Sequence, residues 1–306
     1  DFSWVKRRDS TGSHRLKDSV RGATKTLISN STNAESTEAN VFQAFESDGF
    51  QLGSDSALNA SGGTYASWNW LAGGTASSNT DGSITSSVSA NTTAGFSIVS
   101  YTGTGSNATI GHSLGTAPSM IILKDRDQTI DWWVYHKNIG ATKALFLQST
   151  SATLTNSTYW NDTEPTSSVF SVGTNNGTNR SGSNFIAYCF AEKKGYSKFG
   201  SYTANNQDPD GTFVYTGFAP AWVMAKKTDG AHDWTIKDNK RPGYNENNKN
   251  LNANLSNAEE SNDEVDFLSN GFKWRDNDGA SNSTTNGSSY IYMAFAENPF
   301  VTSTGI

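Results

Sequence analysis

Apolar and polar positions along this chain alternate in short runs. Stretches rich in Val, Ile, Tyr, Trp and Phe are broken by Gly, Asn, Asp and Ser clusters. The breaks come roughly every 10–15 residues, the pattern of short strands in an all-β sandwich or barrel. Residues 36–43 alone hint at a helical turn. The runs also recur in a fixed order, and such recurrence outweighs any single motif. An apolar run ending in Lys, with Asp three residues on, appears three times: Phe2-Ser3-Trp4-Val5-Lys6 with Asp9, Met120-Ile121-Ile122-Leu123-Lys124 with Asp127, and Trp222-Val223-Met224-Ala225-Lys226 with Asp229. An alternating strand follows each, at 14–18, 132–136 and 234–238. Gly-Ala-Thr-Lys comes next at 22–25 and 140–143, while an Asn-rich insert, 244–254, replaces it in the third copy. Each copy then closes on an aromatic strand, at 65–70, 185–190 and 290–295. An opening strand with Ser-Tyr-Thr precedes the second and third copies, at 100–102 and 201–203. Copy one lacks it, because the chain starts just past that point.

The landmark lysines stand 118 and then 102 residues apart, too long a period for one solenoid turn or propeller blade. We expect an all-β chain of tandem antiparallel β-sandwich modules, jelly-roll-like and about 100 residues each. Module 1 spans 1–74 and is truncated at its N-terminus. A Ser/Thr/Gly/Asn-rich linker covers 75–94, module 2 covers 95–195 and module 3 covers 196–306. Modules 2 and 3 have no comparable gap and are expected to pack rigidly.

Composition first suggests disorder: 34% hydrophobic residues, 17% charged, and a mean hydropathy of -0.58. Nine Trp, 11 Tyr and 16 Phe at a net charge of -6 argue otherwise, since rings in that number require a core. No apolar run approaches the ~20 residues of a membrane helix, so no membrane insertion is expected. Acids outnumber Lys and Arg by 29 to 23, which argues against a nucleic-acid partner. Cys189 is the single cysteine and lies in an apolar run, as a buried inert thiol does.

Candidate chemistry is sparse. His14, His112, His136 and His232 occupy no equivalent positions in the repeat, and nothing signals a Ser-His-Asp arrangement. The carboxylate pairs Asp162 with Glu164, Asp263 with Glu264, and Asp125 with Asp127 could serve glycoside cleavage, though loop neighbours are ordinarily solvated turn residues. No catalytic residue is assigned and no enzyme activity is expected. Asp276 and Asp278 alternate ahead of a Gly as ligands of a calcium loop do, but the completing acid is missing and a hairpin turn fits equally. No other cofactor is expected. Asn-x-Ser/Thr sequons abound, as chance dictates in such a composition. Trp132 and Trp133 are adjacent, so in a strand they face opposite sides. With Tyr159, Trp160 and Tyr244 they are the candidate glycan- or receptor-stacking surface, or else a packing face against the neighbouring module.

The motifs Trp-Val-Lys-Arg-Arg-Asp (4–9), Asp-Ser-Val-Arg-Gly-Ala-Thr-Lys (18–25), Tyr-Ala-Ser-Trp-Asn-Trp-Leu-Ala-Gly-Gly (65–74) and Tyr-Cys-Phe-Ala-Glu (188–192) resemble modules of tail-fibre-like virion proteins of tailed phages infecting marine bacteria, of cyanophage or pelagiphage type. The resemblance covers essentially the whole chain and brings no catalytic residues with it. It implies a structural and host-recognition component of the virion, in a tail fibre or appendage that is extracellular after release. The partners it implies are further copies in a homotrimer, other phage tail or capsid proteins, and a bacterial cell-surface glycan or protein. It also implies longer relatives that continue on both sides. A purely architectural role (capsid fibre, collar or tail adaptor) is the alternative, and a polysaccharide-degrading tailspike a further one.

Overall fold

The computed structural model describes residues 1–300; the end of module 3, 301–306, lies outside them. The first copy forms β1 (Phe2–Arg7), β2 (Arg15–Asp18), β3 (Lys25–Ile28), β4 (Ser36–Thr37), β5 (Phe42–Phe45), β6 (Phe50–Leu52), the helical turn α1 (Ser56–Asn59) and β7 (Tyr65–Trp70). The second forms β8 (Ser77–Asn79), β9 (Ser86–Asn91), β10 (Phe96–Thr102), β11 (Ala108–Gly111), β12 (Met120–Asp125), β13 (Trp132–His136), β14 (Lys143–Phe146), β15 (Leu154–Thr155), β16 (Val169–Val172), α2 (Asn176–Asn179) and β17 (Asn184–Phe190). The third forms β18 (Ser197–Thr203), β19 (Phe213–Tyr215), β20 (Pro220–Lys227), β21 (Trp234–Asp238), β22 (Asn247–Asn252), β23 (Glu260–Leu268), β24 (Gly271–Trp274) and β25 (Ser289–Ala296). All strand pairings between these elements are antiparallel, and the architecture is all-β sandwich.

One five-strand order recurs: β4-β3-β2-β1-β7, β15-β14-β13-β12-β17 and β23-β22-β21-β20-β25. The landmark strand of each copy thus lies between its alternating strand and its closing strand. Two expectations change here. The stretch 75–94 is not a linker: β8 and β9 lie within it and extend the second sheet beyond β10. Small Ser, Thr and Ala side chains in it form an ordinary edge, with Val88 and Ser89 buried. Residues 36–43 hold β4, a turn and the start of β5, and the helical turns α1 and α2 fall instead before the closing strands β7 and β17.

Each central sheet is apolar on both faces. In β12, Met120 and Ile122 point to one core while Ile121 and Leu123 point to another. The first of these cores is shared by all three copies, joining Trp4 and Trp68, Ile122 and Tyr188, Met224 and Met293. The three sheets therefore surround one interior, and each keeps a separate core on its outer face.

Polar groups close this ring in cyclic order. The buried Lys124 Nζ donates to the Thr32 carbonyl of the first copy at 3.1 Å, and Lys226 Nζ to the Thr150 carbonyl of the second at 3.1 Å. Burial lowers both ammonium groups, and that of Lys6, to about 8. Trp132 Nε1 donates to the Ile28 carbonyl and Trp234 Nε1 to the Phe146 carbonyl, each at 2.9 Å. The equivalent of those tryptophans in copy one is His14, whose Nε2 meets the Asn252 carbonyl of the third copy at 3.0 Å.

Two of the three junctions carry a buried chain of charges. Arg21 bridges Asp18 and Glu35, and Arg126 of the second copy grips Glu35 with two bonds of 2.9 and 3.0 Å. Arg241 likewise bridges Asp238 and Glu259, which Arg8 of the first copy grips at 2.9 and 3.0 Å. At the third junction the same four positions are His136, Ile139, Thr153 and Thr228. There Thr153 donates its N–H and hydroxyl to the Thr228 carbonyl, at 3.0 and 3.2 Å. Burial would raise the Glu35 carboxyl, yet Arg126 and Arg21 hold it below its ordinary value.

Removing one member of such a chain strands its partners out of water, whereas replacing all members together does not. Glu35→Thr alone is expected to lower unfolding stability by about 3–5 kcal/mol. The combined Asp18→His, Arg21→Ile, Glu35→Thr, Arg126→Thr variant, which copies the neutral junction, should lose less than the single one. Urea unfolding midpoints of the two variants decide it.

Candidate functional site

The first copy departs from the repeat at its closing strand. β17 is paired on both edges, with β12 and β10, and β25 with β20 and β18. Among the described residues β7 pairs only with β1, so its other edge is open. A groove of about 500 Å³ runs along that edge, between the first and third copies. Among the described residues it is the best candidate binding site, because it is concave and joins aromatic side chains, Trp68, Trp70 and Trp222 among them, to polar and charged ones such as Asn69, Asp238 and Arg241.

The groove is built from the alternation of Tyr-Ala-Ser-Trp-Asn-Trp. Ala66, Trp68 and Trp70 turn toward the shared core, and Ser67 and Asn69 are exposed. Trp70 packs against Trp222 and Phe295 of the third copy, with ring centroids 5.7 and 5.5 Å apart. Trp68 Nε1 donates to Asp238 Oδ2 at 3.0 Å, and the Arg241 guanidinium lies 5.9 Å from the Trp68 ring. That fixes one wall. Trp222 Nε1 and Asn239 Oδ1, both lining the groove, are buried polar atoms without a hydrogen-bond partner among the described residues. Such atoms are costly to leave unpaired. The lining can grip an apolar, hydrogen-bonding ligand, but it contains no Ser-His or Cys-His pair to attack one.

The residues proposed from sequence lie elsewhere. Trp132, Trp133, Tyr159 and Trp160 are all buried, so they are core and cannot form a stacking surface. The reason is that both faces of the second sheet are covered. Trp132 enters the shared core, and Trp133 enters the outer one with Tyr159 and Trp160. Gly177 in α2 makes room for it, since a Cβ there would stand 2.0 Å from Trp133 Nε1. Tyr244 alone is exposed, at 82%.

Asp276 and Asp278 do stand together, but as turn acceptors. Asp276 Oδ1 takes the Ser281 hydroxyl at 2.6 Å, and Asp278 Oδ1 takes the Ala280 N–H at 2.7 Å. Among the described residues no group of three or more His, Cys, Asp or Glu is arranged to hold a metal ion. Glu164 accepts bonds from Tyr135 and from the Ala141 N–H, Asp263 from Asn250, and Asp125 from the Asp127 N–H. Burial pushes the Cys189 thiol well up.

Sequence reasoning overlooked the charged junctions. Asp-x-x-Arg recurs at 18–21 and 238–241, each followed by the Glu that completes the chain, and that repetition was the available signal.

The fold thus defines a class: an all-β protein of three related modules closed on one core. The chain belongs to the family of the domain of unknown function DUF7483, whose model matches residues 1–299. No curated protein and no solved structure matches it.

His14 and His136 are structural, and their chemistry sets a pH dependence. Trp4 Nε1 donates to His14 Nδ1 at 2.8 Å, which leaves Nε2 to donate to the Asn252 carbonyl. His136 Nδ1 accepts the Asn138 N–H and its Nε2 faces the Tyr292 carbonyl, both at 3.2 Å. Burial lowers His14 to about 3 and His136 to about 4, from an ordinary 6.5. Below 6.5 the unfolded chain takes up protons that the folded one refuses, so stability is full above 6.5 and falls as pH drops toward 4. Urea midpoints at pH 7, 6, 5 and 4 should decline steadily; a flat series means these rings are charged in the fold.

Proposed function

We propose that this chain is a structural and host-recognition component of a tailed-phage particle, a tail-fibre or appendage segment that binds a host surface glycan or protein multivalently. The observation that carries this reading beyond the motif resemblance is the ring itself. It fixes three related modules in one rigid frame, so polar loops from all three are held in constant relative position. Rigid presentation of several weak contacts raises avidity with no new contact chemistry. Ser-, Thr- and Asn-rich loops suit the role, because neutral hydrogen-bonding groups act on sugars without screened charge. The role assigns no catalytic residue and places the protein in the virion.

One observation favours the architectural alternative, a capsid fibre, collar or adaptor without receptor contact. Of the five aromatic residues expected to stack on a ligand, four are core. The homotrimer expected from resemblance also takes a different form under this reading. One chain closes its own threefold ring, so copies of it would associate through outer surfaces. Light scattering on the purified chain measures that directly.

Binding of the purified chain to host cells, with its position in the assembled particle, tests the proposal. Saturable binding and a distal position are expected, without release of reducing ends from envelope material. Tyr244→Ala should weaken binding several-fold and leave the unfolding midpoint unchanged. No binding, together with a position around the portal, transfers the protein to the architectural class.

A further inference from the structure

We propose that the third module seals itself with an amide bond between the side chains of Lys237 and Asn250, formed without another enzyme and with Asp263 as the catalytic acid. The inference is independent of the virion reading, because it rests on three side chains inside one module.

Register brings the reacting pair together. β21 sets Thr235 opposite Asn252 and Ile236 opposite Leu251, so the next step sets Lys237 opposite Asn250. Directly opposed side chains share a face, with Cβ atoms about 4.5–5.5 Å apart. Trp234 and Ile236 enter the shared core, so Lys237 turns to the outer one, beside Val223. The third member comes from β23. Its register against β22 slips between Asn247 and Lys249, and Asp263 sits in that bulge with a left-handed φ of 51°. A bulge re-aims a side chain, and this one turns Asp263 inward while Asn262 stays exposed. Asn250 Nδ2 donates to Asp263 Oδ2 at 3.0 Å, and Lys237 Nζ to the Asn262 carbonyl at 2.7 Å. Lys237, Asn250 and Asp263 are 0%, 2% and 6% exposed, so water is kept from all three.

The surroundings suit the chemistry. Burial lowers the Lys237 ammonium and raises the Asp263 carboxyl, which favours a free amine beside a carboxylic acid. A desolvated lysine is an activated nucleophile, and fixed proximity removes most of the entropy cost of attack. Asn250 Oδ1 is buried without a hydrogen-bond partner among the described residues, so its carbonyl is not engaged elsewhere. Lys237 Nζ attacks Asn250 Cγ, a C–N bond forms, and the carbonyl oxygen takes the displaced electron pair. Asp263 gives its proton to Nδ2 and regains one from Nζ. The carbonyl then re-forms, the Cγ–Nδ2 bond breaks, and Nδ2 leaves as ammonia. The acid ends as it began, and nothing is oxidised or reduced.

The repeat carries its own controls. In the first module the same register sets Lys17 opposite Thr26. There Lys17 Nζ donates to the Thr26 hydroxyl, which donates to Glu38 Oε2 at 2.8 Å. Lysine and acid are present, but the amide is not. In the second module the register sets Tyr135 opposite Ala144, and the Tyr135 hydroxyl donates to Glu164. Of the three modules, the third alone joins a lysine, an amide and an acid at this place. Its Asn250 lies in the insert that replaces Gly-Ala-Thr-Lys, so the bond ties that insert covalently to β21.

Intact mass of the purified full chain, followed by fragment mapping, tests the bond. The chain should weigh less than its sequence by one ammonia and yield a branched peptide joining Lys237 to Asn250. Asn250→Thr, which copies the first module, and Asp263→Asn should both keep the full sequence mass, with circular dichroism showing each to be folded. The measurement on the unsubstituted chain stands whether or not the variants fold. Full sequence mass in that chain after prolonged incubation at neutral pH overturns the proposal. So does a deficit that survives in Asn250→Thr, which assigns the lost ammonia to a succinimide at Asn176-Gly177, Asn270-Gly271 or Asn286-Gly287. An undiminished deficit in Asp263→Asn overturns the role given to the acid.

Discussion

Each landmark strand has two apolar faces, and a single module can cover only one of them. That constraint organises the molecule. In β13 all five residues are buried, which a lone sandwich with one wet face does not require. The outer face is covered within the module, and the inner face is covered by the other two modules. The arrangement also explains how a chain with 34% hydrophobic residues supports so many buried rings. Sharing one interior among three sheets removes the need for three complete inner cores, and the surface–volume penalty of small domains is eased accordingly.

Cover on the inner face then demands polar closure at the rims, where backbone groups of one module would otherwise meet apolar surface of the next. The buried lysines and indoles do this work. Lys124 donates to three carbonyls, those of Thr32, Asp125 and Gln128, two of them in its own module and one in the neighbour. A long apolar stem with a donor at its tip suits such a place, since the stem lies along core while the ammonium meets oxygen. The first module shows the same need met by different chemistry: His14 replaces the indole and reaches the neighbouring carbonyl with Trp4 behind it.

Much of this was legible in the chain. The period, the three landmark strands and the all-β class follow from runs that recur in order. What alternation could not tell was how many faces would be wet. Adjacent Trp132 and Trp133 imply one exposed ring only if one sheet face meets solvent, and neither does. The polar stretch at 75–94 misled for the opposite reason: Ser and Thr suffice at an edge, where hydrogen bonding rather than burial holds the strand. The groove was illegible because its walls come from β7 and the third module, which are far apart in sequence and meet only when the ring closes.

The distribution of charge over the three junctions also fixes the order of the ring. In the observed order, the loops bearing Glu35 and Glu259 meet Arg126 and Arg8, while the loop bearing Thr153 meets Thr228. Running the ring the other way would place Glu35 against Thr228 and Thr153 against Arg8. One junction would bury a carboxylate with no arginine from its neighbour, and another an arginine with no carboxylate. Each mismatch carries the cost of an uncompensated buried charge, which exceeds the net worth of the pair when formed. Specificity arises from mismatches built against the wrong arrangement as well as from contacts that favour the right one. The neutral junction is therefore as informative as the charged ones: by differing from them, it makes the three interfaces non-interchangeable, and a chain of similar repeats acquires one handedness of closure.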